Sequence, residues 1–176
     1  MGNRAVISTE DKNIGVYLHW NGDRSFIESI LAYCDLKEYR SPETDDYGWA
    51  RLCQILGNTM GGTLSLGIDK YERLDTDNWD NGVYIIKKWD VTSRLNQNYQ
   101  DDKVESMEDA LNYINDRQPE LEKVSKDKIK EFSKEWESKH FDRLKYPDMY
   151  NYELNHENGY KKVENHLKKG REDKDE

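Results

Sequence analysis

Apolar positions in this chain change their spacing several times, and each change predicts an element. Residues 4–8 and 15–20 are short runs rich in β-branched and aromatic side chains. Joined by a loop over 9–14, two such runs read as antiparallel strands. Phe26, Ile27, Ile30, Leu31 and Cys34 then recur at helical spacing and predict an amphipathic helix over 24–38, with Ser25 and Glu28 in a capping-box pattern at its start. Pro42 disfavours helical geometry in the residue before it, so the helix ends there. Thr44 or Asp45 caps a second helix to about Met60, whose apolar set is Trp49, Leu52, Cys53, Ile55 and Leu56. Gly61 and Gly62 stop it. Residues 63–68 and 83–89 predict a third and a fourth strand on either side of an acidic loop over 75–82, where Asn81-Gly82 is a turn signal.

The character changes near Thr92. Ser106 caps a short helix carrying Met107, Ala110, Leu111 and Ile114, and Pro119 suits the first turn of a longer one ending near His140. The longer helix has a narrow stripe of Leu121, Val124, Ile129, Phe132 and Trp136, with Glu135 and Lys139 four apart in the favourable order. Beyond Leu144 aliphatic residues thin out while Tyr146, Tyr150, Tyr152 and Tyr160 persist, and a mixed-charge end follows from Lys168. The expected fold class is α+β: a small, mainly antiparallel four-stranded sheet with two packed helices, followed by a helical C-terminal extension. The expected units are a core domain over 1–92, the helical extension over 93–145 and an aromatic, charged tail over 146–176. No internal repeat is visible.

Charge narrows the partners. The chain has 27 Lys and Arg against 36 Asp and Glu, a formal net charge of -9, with the excess spread over both halves. Such a field disfavours general binding to a phosphate backbone and suits a basic partner or simple solubility. No apolar run approaches the ~20 residues needed to cross a bilayer, so no membrane partner is expected. Cys34 and Cys53 both sit in apolar helical patterns and read as reduced core thiols rather than nucleophiles. The expected location is the cytoplasm.

Three groups of residues have chemical potential. His19, Asp23 and Glu28, with Asn21 and Arg24 between them, form a candidate catalytic set, because a histidine near an acid can act as general base. Arg24 at a helix start would meet an anion. Turn and capping chemistry accounts for the same residues without catalysis. Asp75, Asp77 and Asp80 are candidate metal ligands, with Asp69, Asn78 and Asn81 nearby; crowded loop oxygens hold Mg²⁺ or Ca²⁺. The spacing is not that of an EF-hand, and Asp and Asn also simply favour turns. Tyr39, Arg40, Asp45, Asp46, Tyr47 and Arg51 form a candidate partner-binding set, since Tyr and Arg are common anchors of protein interfaces. Neither a glycine-rich phosphate loop nor zinc spacing is present.

The segments GNRAVIS, GVYLHWNGD, YRSPETDDYGWARLCQILGN and GGTLSLGID together resemble a group of small proteins from phages and mobile elements of Gram-positive bacteria. Relatives in that group include anti-CRISPR proteins directed at type II Cas9. The resemblance covers about residues 2–90 and carries no functional residue with it. It implies an inhibitor of a host defence nuclease, acting in the host bacterial cell on Cas9 or the Cas9–guide RNA complex. Cas9 holds nucleic acid in a positively charged channel, which an acidic protein with exposed aromatics would match. The alternatives are a metal-dependent nuclease acting on RNA or DNA, for which Mg²⁺ would be the cofactor, and an interaction module with no defence role.

Overall fold

The computed structural model describes residues 2–98 and 106–140. Its strands are β1 (Ala5–Thr9), β2 (Ile14–Leu18), β3 (Leu66–Lys70), β4 (Val83–Lys87) and β5 (Asp90–Leu95). The helices are α1 (Arg24–Leu36), α2 (Asp46–Met60), α3 (Met107–Asp116) and α4 (Lys126–Lys139). The sheet order is β3-β2-β1-β4-β5. β1 pairs parallel with β4, and every other neighbour is antiparallel.

The fold is α+β as expected, but the sheet has five strands and is mixed. Four α-helices are present among the described residues, and the last two, which fall in the expected helical extension over 93–145, pack with α1 in one core. Central β1 is buried along its whole length, which explains its almost unbroken apolar run. Ala5, Ile7, Val16, Leu18, Tyr84 and Ile86 face the helices, while Val6, Val83 and Ile85 form a smaller cluster on the other side. Leu74 covers that second face by passing over Gly15, where a Cβ would lie 2.9 Å from the Leu74 methyl.

Helix α1 is buried on nearly every side because it lies between the sheet and the last two helices. Met107, Leu111, Ile114, Ile129 and Trp136 share its buried cluster, and the Tyr33 hydroxyl donates to Asn115 Oδ1 at 2.7 Å. Asp23 caps α1 by accepting from the Phe26 amide at 2.9 Å, so the expected Ser25–Glu28 capping box is replaced by an Asp cap. The longest expected helix also starts later than Pro119. A 3-10 turn over Glu120–Glu122 leaves Leu121 fully exposed, and Ser125 caps α4. The expected tail over 146–176 lies outside the described residues.

Strand β5 begins after an unusual turn. Lys88 and Trp89 both have positive φ, 48° and 63°, in a two-residue connection that ordinarily takes Asn or Gly. Two hydrogen bonds and burial hold it. The Lys88 amide donates to Glu43 Oε1 at 2.8 Å, Trp89 Nε1 donates to the Tyr39 carbonyl at 2.7 Å, and Trp89 is 5% exposed.

At the opposite edge, β3 answers two of its three outward amides from within the same stretch of chain. Ladder bonds from His19 to Ser65 and from Tyr71 to Asn13 fix the phase, so Leu66, Ile68 and Lys70 point their amides away from β2. The Leu66 amide donates to the Thr63 carbonyl and the Lys70 amide to Asp69 Oδ1, which blunts the edge against a foreign strand.

Candidate interaction site

The proposed acid–base set does not converge on one point. His19 is exposed beyond the end of β2, with Nδ1 3.1 Å from the Tyr17 hydroxyl and its ring edge-on to Trp20. Asp23 serves as the α1 cap, also accepting from Ser25 Oγ, and its other oxygen is 3.3 Å from Asn3 Nδ2. Glu28 is buried one turn along the helix and pairs with Arg24 Nε at 3.0 Å. Asp23 and Glu28 line different clefts. Arg24, expected at an exposed helix start, is 1% exposed and forms part of a cleft floor.

The acidic loop is organised by a buried asparagine. Asn78 Oδ1 accepts from the Asp80 and Gly82 amides, and Nδ2 donates to the Asp75 and Gly82 carbonyls. All four hydrogen-bonding positions of the amide are thereby filled. Gly82 has φ +65°, and a Cβ there would run into the Leu95 carbonyl. Asp80 accepts from Arg4 twice, from the amide at 3.0 Å and from Nε at 2.7 Å. Burial alone would raise the Asp80 carboxyl, but the Arg4 hydrogen bonds and charge hold it below the usual range. Asp75 lies 3.7 Å from the same guanidinium, and Asp77 is exposed. Among the described residues, no group of three or more His, Cys, Asp or Glu side chains is placed to hold a metal ion. Arg4 thus pairs with two of the three candidate metal ligands, Asp75 and Asp80.

The thiols have no nucleophilic setting. Both are free; burial raises the Cys34 thiol strongly and the Cys53 thiol less.

The third set does come together. Arg40 Nη1 lies 2.6 Å from Asp45 Oδ2, and its guanidinium stands over the Tyr47 ring with 5.7 Å to the centroid. Arg51, one turn beyond Tyr47 on α2, stands over Tyr39 at 5.3 Å. Asp45 caps α2 by accepting from the Tyr47 amide, and Asp46 is exposed beside it. Tyr39 packs partly on the core, while Tyr47 is 66% exposed. Burial, with help from Glu122, raises the Tyr39 phenol against the pull of Arg51, so the ring stays neutral near pH 7.

Beside this patch runs an acidic groove of about 450 Å³ between the β1–β2 turn and the start of α2. Asp11, Glu43, Asp45 and Asp46 line it, and its described lining contains no Lys or Arg. Asp11 was not legible as a site residue, because only the folded hairpin brings it opposite α2. Glu43, between Arg40 and Asp45 of the candidate partner-binding set, joins that set in the groove. Comparison with protein-family models, curated proteins and solved structures gives no match.

Proposed function

We propose that this chain is a mobile-element-encoded inhibitor of a host defence nuclease, working by binding Cas9 or the Cas9–guide RNA complex in the host cytoplasm. The observation that supports this reading is the adjacency of two surfaces. An exposed Tyr–Arg patch, with Tyr47 at its tip, borders a groove lined by four carboxylates. Aromatic and arginine anchors supply the buried contacts of protein interfaces. Negative potential steers the approach of a basic partner and selects it over acidic ones. A positively charged nucleic-acid channel is such a partner.

The test is to incubate the purified chain with a Cas9–guide RNA complex and follow association, DNA cleavage and guide length with and without Mg²⁺. The expected result is co-elution with the complex, loss of DNA cleavage and an intact guide. Neither association nor inhibition would overturn the reading, and a shortened guide would replace binding with RNA cleavage.

A further inference from the structure

On another side of the molecule lies a cleft of opposite character, with a volume of about 420 Å³. Such volumes fall within the range of small-ligand sites. Its rim has Lys87 and Lys88 from the β4–β5 turn and Lys139 and His140 from the end of α4. The Arg24–Glu28 pair forms part of its floor, and Asp90 is the other carboxylate of the described lining. In a chain of net charge -9, this concentration of cations is a local reversal of sign.

The position of His140 follows from its hydrogen bonds. Nδ1 lies 2.8 Å from the Trp136 carbonyl and Nε2 lies 3.1 Å from Asp90 Oδ1. Both ring nitrogens are thereby engaged within the chain. The ring stacks on Trp136 at 4.0 Å, fixing that orientation. Asp90 also accepts from Lys139 Nζ at 2.8 Å. Asp35 on α1 and Glu135 on α4 add negative charge near this group, and Lys139 adds positive charge. Lys87 reaches toward Glu10 at 3.4 Å across solvent, and Lys88 has no ion-pair partner among the described residues. Lys87 at the end of β4 and Lys88 in the positive-φ turn both line the cleft.

We infer that this cleft binds a phosphate group, held by the ammonium groups of Lys87, Lys88 and Lys139, carried by a mononucleotide or by the backbone of a single strand. A lone phosphate fits a local basic rim, whereas a long polyanion would meet the acidic remainder of the surface. Both tryptophans of the lining are nearly buried, so the site offers charge and not a stacking platform.

Calorimetric titration of the full chain with sulfate tests this. The expected result is saturable binding, weakened about tenfold by Lys88→Glu, the loss expected of one charge-assisted hydrogen bond. Lys87→Glu, at a second exposed position, should weaken binding in the same direction. Parallel titrations use inorganic phosphate, a 5′-mononucleotide and an RNA oligomer without terminal phosphate. Binding of the mononucleotide alone assigns a free phosphoester. Binding of the oligomer, with a log–log salt slope of about -0.7 for each phosphate engaged, assigns the backbone. No saturable binding of sulfate or phosphate, or equal binding by Lys88→Glu of unchanged melting temperature, would overturn the inference.

Discussion

Arg94 lies face-on over the ring of Tyr84, its guanidinium carbon 3.7 Å from the centroid, and both side chains are fully buried. They are cross-strand partners in β4 and β5. Arg94 Nη2 donates to the Asn81 carbonyl at 2.7 Å, and the Tyr84 hydroxyl donates to the Gly22 carbonyl at 2.8 Å. One stacked pair thereby ties β5 to the acidic loop and to the entry of α1. Replacing Arg94 by Met removes the cation–π contact and leaves a buried carbonyl without its donor. Together these should lower stability by about 3 kcal/mol. Urea unfolding followed by circular dichroism measures it; a loss within ~0.5 kcal/mol, the scale of a neutral surface change, would contradict the assignment.

Asp80 gives the fold an acid dependence of known sign. Its folded-state carboxyl lies below the ordinary value because Arg4 hydrogen-bonds it more strongly than burial penalises it. A depressed carboxyl stabilises the fold above the unfolded value, ~3.9, and that stabilisation is lost as pH falls through the folded value. Melting temperature should therefore drop as pH falls below about 4. Asp80→Asn should be less stable near neutrality and show a smaller drop. A mutant with the wild-type acid profile would remove Asp80 from this role.

These two loops show where the sequence was legible and where it was not. α1 and α2 were legible because their apolar residues recur at helical spacing, and β1 because Ala5, Val6 and Ile7 form an apolar run. β5 was not. Its inward position holds Arg94, and the turn before it uses Lys88 and Trp89 in a conformation that Asn and Gly ordinarily signal. The parallel β1–β4 pairing joins strands far apart in the chain, so no local pattern encodes it. Among the candidate sites, the Tyr39–Arg51 set was legible because most of it lies on one helix and its entry. The rim of the basic cleft was not, since Lys87, Lys88 and His140 meet only after α4 packs beside the sheet.

His19 and Asp23 should separate cleanly on mutation. Asp23→Ala removes a helix cap and should lower stability by about 1 kcal/mol. His19→Ala, at an exposed position, should change it by less than ~0.5 kcal/mol. Under the binding account, His19→Ala also keeps full inhibition of DNA cleavage by the Cas9–guide complex. Loss of inhibition in a His19→Ala protein of wild-type stability would restore a chemical role for the ring.

The central claim is that a basic partner is steered by the acidic groove and anchored by the tyrosine patch. Its most direct test is the kinetics of binding to an immobilised Cas9–guide complex, with Asp46→Lys and Tyr47→Ala beside the wild type. Both positions are exposed, so neither change should disturb the fold. The screening length falls from ~10 Å at 0.1 M salt to ~3 Å at 1 M. The account predicts that wild-type association slows steeply with salt, that Asp46→Lys slows association at low salt with little effect on release, and that Tyr47→Ala speeds release about tenfold. Association independent of salt, with both variants binding as the wild type does, would contradict it.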